Sequence, residues 1–223
     1  MSDDARVCYT VDDSGTTFQR PKALPDTDAR RVLLFGGTFD PPHIGHLAMA
    51  QLALEQTGVD EVWFLPSPSP PHKADIGDDT FSWRLKMVET LLDGRPGLRA
   101  VPLESFLPRP SYSVDTVRAC QKWYTQTRFS FLLGTDSLAQ LPTWHGAEEL
   151  SQRIAFYVAG RSGHPFATTL DVVQSVLSDV RATPIEMPLL DVSSTWIRER
   201  LDKCLDVFGL VPPSVLDVWN AGP

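Results

Sequence analysis

The run Val32-Leu33-Leu34-Phe35, apolar at successive positions and stopped by Gly36-Gly37, most narrows what this chain can become. Such a run has no solvent side, so it fits a strand buried on both faces, as in parallel sheets covered by helices. Glycines directly after it end the strand and let backbone N–H groups approach a ligand closely.

The same grammar recurs. Leu47, Ala50 and Leu54 recur at helical spacing before Gly58, which predicts a helix over 46–56. Val62-Trp63-Phe64-Leu65 is a second buried strand, followed by a loop at the Pro-dense stretch 66–71. Further helices are expected near 83–92, 114–123, 148–153, 170–176 and 195–201. Strands are expected near 98–103, 129–133, 154–158 and 185–187. Alternation of this kind implies right-handed βαβ crossovers: an α/β, Rossmann-like, doubly wound and mostly parallel sheet with helices on both faces. Ligands bind such sheets beyond the carboxyl ends of their strands. Residues 1–30 mix Asp, Ser, Thr, Gly and Pro without a period and are expected to form a mobile extension. Residues 31–223 read as one domain with a helical C-terminal end.

Asp and Glu outnumber Lys and Arg 28 to 20, a net charge of −8, of which the first thirty residues carry −2. An acidic domain lacks the positive field that holds a nucleic-acid polymer or an anionic membrane. No stretch approaches the ~18 apolar residues of a membrane span. Cys8, Cys120 and Cys204 are scattered and form no CxxC pair, which fits a reducing cytoplasm better than a disulfide framework or a thiolate metal site.

Between the first strand and first helix lies Gly36-Gly37-Thr38-Phe39-Asp40-Pro41-Pro42-His43-Ile44-Gly45-His46. Glycines, a helix N-terminus and two imidazoles three residues apart make an arrangement for phosphate, with His43 and His46 both able to face it. It is neither GxGxxG nor a P-loop. A second element, Ser193-Ser194-Thr195-Trp196-Ile197-Arg198, opens a late helix with capping hydroxyls and places a guanidinium one turn inside, a combination suited to polyphosphate.

His43-Ile44-Gly45-His46 matches the HxGH signature of the nucleotidyltransferase superfamily, and the chain from 31 to 201 resembles the bacterial nicotinate mononucleotide adenylyltransferases. Pro70-Pro71-His72-Lys73 is similar to that family's PPHK loop, Pro110-Ser111-Tyr112-Ser113 to its PSYT stretch, and Gly134-Thr135-Asp136-Ser137-Leu138 with Pro142-Thr143-Trp144 to its GxDSL and PTW regions. The resemblance implies a nucleotidylyl transferase fold and adenylyl transfer from ATP to nicotinate mononucleotide, yielding deamido-NAD and pyrophosphate. It further implies that His43, His46 and Arg198 act on the phosphates, and that Gly36, Gly37, Thr38, Phe39, Gly134, Asp136, Arg161, Ser193, Ser194 and Thr195 bind ATP. Lys73, Ser113, Trp144 and His145 would hold the mononucleotide, with Trp144 stacking the pyridine ring and Asp136 accepting from ribose hydroxyls. Ser113 stands where the family has Thr, and Ser162 where it has Pro.

Carboxylates do not cluster as a protein-built metal cage would need, so Mg²⁺ is expected to arrive on the ATP phosphates, with Asp40 at most an outer-shell partner. The alternatives are an acceptor other than the acid mononucleotide, above all the amide nicotinamide mononucleotide, and a non-catalytic nucleotide sensor. A class I aminoacyl-tRNA synthetase is disfavoured because the chain lacks a KMSKS loop and an anticodon-binding part.

Overall fold

The computed structural model describes residues 20–68 and 80–223. Six parallel strands form one sheet in the order β3-β2-β1-β4-β5-β6. In chain order these are β1 (Arg31–Gly37), β2 (Glu61–Pro66), β3 (Leu98–Ala100), β4 (Arg128–Gly134), β5 (Ala155–Ala159) and β6 (Ala182–Ile185). The helices are α1 (Ile44–Thr57), α2 (Phe81–Leu92), α3 (Ser113–Trp123), α4 (Thr135–Gln140), α5 (Ala147–Arg153), α6 (Phe166–Val176), α7 (Ser194–Asp202) and α8 (Pro213–Ala221). The expected doubly wound α/β class is therefore what the chain adopts.

Successive side chains of β1 serve opposite faces, as the pleat requires. Val32 and Leu34 join Trp63, Leu65, Val117 and Leu150 in one core; Leu33 and Phe35 join Phe64, Ala50, Met87, Val88 and Ile197 in the other. β1 pairs with β2 on one side and β4 on the other, so the strand order reverses direction between β1 and β4. Their carboxyl ends, Gly37 and Gly134, open the crevice in which open α/β sheets bind ligands.

The structure adds to or departs from the sequence pattern at four places. Of the extension expected over 1–30, residues 1–19 lie outside the described residues, and 20–30 pack against the domain: Leu24 is buried, Tyr124 Oη donates to Pro25 O at 3.0 Å, and Arg20 lies over the Tyr124 ring. One apolar contact and backbone hydrogen bonds seat this segment, neither of which leaves a periodic trace. The strand expected over 98–103 ends at Ala100, because the chain turns at Pro102 into a 3₁₀ turn, Leu103–Phe106. β6 lies at Ala182–Ile185 rather than 185–187; as an edge strand, exposed at Thr183 and Pro184, it lacks the apolar run that marks a central one. Finally, α4 leaves β4 directly at Thr135 and is too short to show a helical period.

Candidate active site

At the carboxyl ends of β1 and β4 lies a cavity of about 350 Å³, lined by Gly36, Gly37, Thr38, His46, Gly134, Asp136, Trp144 and Arg161 among others. A second cavity of about 430 Å³ shares Ser111, Ser113, Ser137 and Trp144 with it and adds Tyr112 and His145. The two make a continuous trough across the switch point of the sheet.

The histidines are locked together at the start of α1. His43 is the N-cap: its Nδ1 accepts from the Gly45 N–H at 3.2 Å, while His46 Nδ1 accepts from the His43 N–H at 3.2 Å, a capping box built from two imidazoles. A ring nitrogen that accepts carries no proton, so both neutral rings bear theirs on Nε2 and are hydrogen-bond donors there. The ring centroids are 3.7 Å apart. Only His46 lines the cavity; His43 is buried behind it, so the two do not face the trough equally, as the sequence suggests.

Burial, helped by the positive charge of Arg161, pulls His43 down to about 4. The unfolded chain takes up that proton near the ordinary histidine value of 6.5, whereas the folded one resists until about 4, so stability is lost as pH falls through this window. Between pH 7 and 4.5 this group should cost about 2–3 kcal/mol. His43→Asn, which keeps a capping acceptor, should lose correspondingly less stability over the same interval in denaturant titrations. Equal losses in the two proteins would contradict the assignment.

α1 does not offer the free N-terminal amides that its sequence promises. Ile44 N donates to Leu210 O at 2.9 Å, Gly45 N to His43 Nδ1 and His46 N to His43 O at 3.0 Å. The open donors are instead at α7, where Ser193 Oγ caps the Trp196 N–H and the amides of Ser194 and Thr195 have no partner among the described residues. Ser194 Oγ ties this helix end to the first element by donating to Pro41 O at 2.8 Å.

Arginines brace the same region. Arg198 reaches Asp40, donating to its carbonyl at 2.5 Å with the carboxylate 3.4 Å away, which joins α7 to the glycine-rich segment. Asp40 is thus occupied by a guanidinium, and no three His, Cys, Asp or Glu side chains among the described residues come together as a metal site. Arg161 donates to the carbonyls of Leu190 and Val192 and keeps its buried Nε without a partner among the described residues. Gly134 leaves room for its neighbours: a Cβ there would lie 2.3 Å from Asp136 Oδ1 and 3.3 Å from the Arg161 side chain, so a larger residue would push the Asp136 carboxylate aside.

Of the residues picked from sequence, Gly36, Gly37, Thr38, His46, Ser113, Gly134, Asp136, Trp144 and Arg161 line the trough, and His145 borders its second half, stacked 4.2 Å from Tyr112. Phe39 does not: its ring is buried beneath Gly37, edge-on to His46 at 5.0 Å, so it supports the histidine instead of touching ligand. Ser193, Ser194, Thr195 and Arg198 stand beside the trough at α7 rather than in its lining. Lys73 and the rest of the PPHK segment lie outside the described residues.

Two site residues escaped the sequence reading. Arg84, wholly buried, crosses from α2 to donate to Thr38 O at 2.8 Å and so holds the glycine-rich segment. Its signal was readable: with Met87, Val88 and Leu91 it completes the buried stripe of α2, where a guanidinium needs a partner. Glu104, in the 3₁₀ turn, lines the cavity from below.

A family model described as Cytidylyltransferase-like matches residues 34–200. A probable nicotinate-nucleotide adenylyltransferase of Bacillus pumilus is 39% identical over 186 residues, 83% of this chain and 93% of that protein. One from Exiguobacterium sibiricum is 38% identical over 193 residues, 85% and 97% of the two chains. Among solved structures, the Plasmodium falciparum nicotinic acid mononucleotide adenylyltransferase complexed with NaAD shares the fold at TM-score 0.70 and 19% identity, covering 86% of this chain and 95% of that one.

Proposed function

This chain belongs to the cytidylyltransferase-like family and, within it, to the nicotinate-nucleotide adenylyltransferases, and from that premise we propose how its residues divide the work. The enzyme transfers the adenylyl group of ATP to nicotinate mononucleotide and releases pyrophosphate, a step of NAD biosynthesis. The observation that carries this conclusion is identity near 39% over almost the whole length of a relative of that name.

In the reaction a 5′-phosphate oxygen of the mononucleotide attacks the α-phosphorus of ATP, and the bond to the bridging oxygen of pyrophosphate breaks. The nucleophile is already anionic, so the protein's task is alignment and charge stabilisation. His46 donates from Nε2 to the phosphates as charge shifts onto the leaving group, and His43, buried behind it, fixes its ring. Arg198 and the α7 amides of Ser194 and Thr195 hold the terminal phosphates, with Ser193 keeping the helix end open. Arg161 offers its buried Nε–H from the opposite wall. Gly36, Gly37 and Thr38 form the floor under the nucleotide, and Asp136, beside Gly134, accepts from ribose hydroxyls. Trp144 stacks the pyridine ring, with Ser113 and the backbone of His145 at its carboxylate, and Lys73 assists the same substrate. Mg²⁺ belongs to the ATP substrate, supplying charge screening while it keeps its waters. These assignments draw on an acidic chain whose cations and helix N-terminus gather at one end of its sheet, which suits small anions in a confined site. A cytoplasmic setting agrees with such substrates, and no helix among the described residues is long and apolar enough to cross a membrane.

Incubation with ATP, Mg²⁺ and either nicotinate mononucleotide, nicotinamide mononucleotide or phosphopantetheine, scored by pyrophosphate release, tests the reading. Release should be fastest with nicotinate mononucleotide. Retention of ATP with no release under any acceptor would instead identify a nucleotide sensor.

A further inference from the structure

An acidic side chain inside a site for an acidic substrate calls for a reason. Glu104 is only 5% exposed, yet it lines the same cavity as Ser67, Ser111, Ser113 and Trp144. Its Oε1 accepts from Thr116 Oγ1 at 3.0 Å, and Thr116 Oγ1 also lies 3.3 Å from Tyr112 O, at the start of α3. On the other side the carboxyl has Ser67 near it, whose buried Oγ makes no hydrogen bond among the described residues and whose N–H donates to Gly37 O at 2.9 Å. Glu104 therefore sits where the mononucleotide wall meets the phosphate-binding segment. Beside it in the cavity, the buried Ser111 Oγ has no partner among the described residues, which marks this corner as one that receives a polar group.

Resting on the adenylyltransferase reading, we propose that Glu104 is a specificity-determining residue that sets the preference of the site between acid and amide mononucleotides. With its proton, the carboxyl leaves the corner uncharged and can donate to the ring carboxylate of nicotinate. Without it, the carboxylate repels that group and favours the neutral carboxamide, a donor. Like charges confined in one cavity discriminate strongly, whereas a neutral acid in such a place acts as a donor.

The protonation balance supports this. The groups acting on Glu104 are two hydroxyls, Thr116 and Ser67, with no cation among them, and burial pushes the carboxyl up to about 7. From α3 the buried Cys120 thiol faces it, itself driven far above neutral by burial and by the Glu104 charge, so it does not compete for the proton. Across the cavity stand His46, Asp136 and Arg161; the β4 side chains Phe131 and Leu133 beside it are apolar.

The test compares kcat/KM for nicotinate and nicotinamide mononucleotides from pH 5.5 to 8.5 at saturating ATP and Mg²⁺, in the full-length protein and in Glu104→Gln. The pyridinium and phosphate are common to both substrates, so their titration cancels in the ratio. In the unaltered protein the acid-to-amide ratio should fall at least tenfold as pH rises through about 7. In Glu104→Gln, where the Thr116 bond survives, the ratio should stay high and flat. A ratio that does not fall in the unaltered protein, including no amide turnover even at pH 8.5, overturns the proposal whether or not the variant folds, as does a slope retained in Glu104→Gln. No turnover of either mononucleotide at any pH is a different outcome, which removes the adenylyltransferase reading itself.

Discussion

Replacing His46 with alanine should lower kcat by roughly 10²–10³, about 3–4 kcal/mol of transition-state stabilisation, with a much smaller change in the Michaelis constant for ATP. The expectation follows from where the ring is and what holds it. His46 lines the trough, its Nδ1 is committed to the His43 N–H, and its face is wedged edge-on against Phe39 at 5.0 Å, so the Nε2 donor is preset before substrate arrives. Pre-set donors help most where charge develops, which here is the bridging oxygen of departing pyrophosphate. The alanine variant also loses half of the capping box, worth about 1 kcal/mol of stability, so its fold should be checked by thermal melting at the assay temperature. A folded variant with near-normal turnover would show that the phosphates are stabilised elsewhere.

The second large effect is on binding. Trp144→Ala should raise the Michaelis constant for nicotinate mononucleotide by roughly 5- to 150-fold, the range of a lost aromatic stack, while that for ATP moves little. Trp144 lines both halves of the trough, half-buried, with its ring edge set against Phe131 at 6.3 Å and 73° and its backbone N–H donating to Leu141 O at 3.0 Å. That mounting leaves a ring face to offer a flat, electron-poor heterocycle at little ordering cost. Equal increases for both substrates would make Trp144 a wall of the fold instead of a pyridine platform.

What the sequence disclosed and what it withheld have separate physical causes. β1 was legible because four successive apolar residues can only be buried on both faces, and the site beyond it because glycines and two imidazoles at a helix start have few other uses. The pairing of His43 with His46 across a capping box was not legible. The motif shows two donors at one point, but packing sends one ring into the interior and one toward the trough. Local bonds to His43 and a tertiary bond from Ile44 N to Leu210 O consume the α1 amides, and the open helix N-terminus is at α7. Arg84 could have been found as a charge on the buried stripe of α2, whereas Glu104 sits in a short 3₁₀ turn where no period distinguishes inside from outside. Leu24 shows the same limit, since a single apolar residue in a polar segment is seated by tertiary contacts alone.

The charge balance gains meaning from the fold. A chain of net charge −8 still presents His46, Arg161 and Arg198 around one crevice, because the carboxyl ends of β1, β4 and β5 and the start of α7 converge there. Its exterior disfavours polyanionic polymers while the crevice admits small phosphates.

A crystal structure of the protein with its product, nicotinate adenine dinucleotide, measures the central claim most directly. The account predicts the pyridine ring stacked on Trp144, with the phosphates within hydrogen-bond reach of His46 Nε2 and the ribose hydroxyls at Asp136. A dinucleotide bound in the reverse sense, with adenine on Trp144, or one lying outside the trough between β1 and β4, would contradict it.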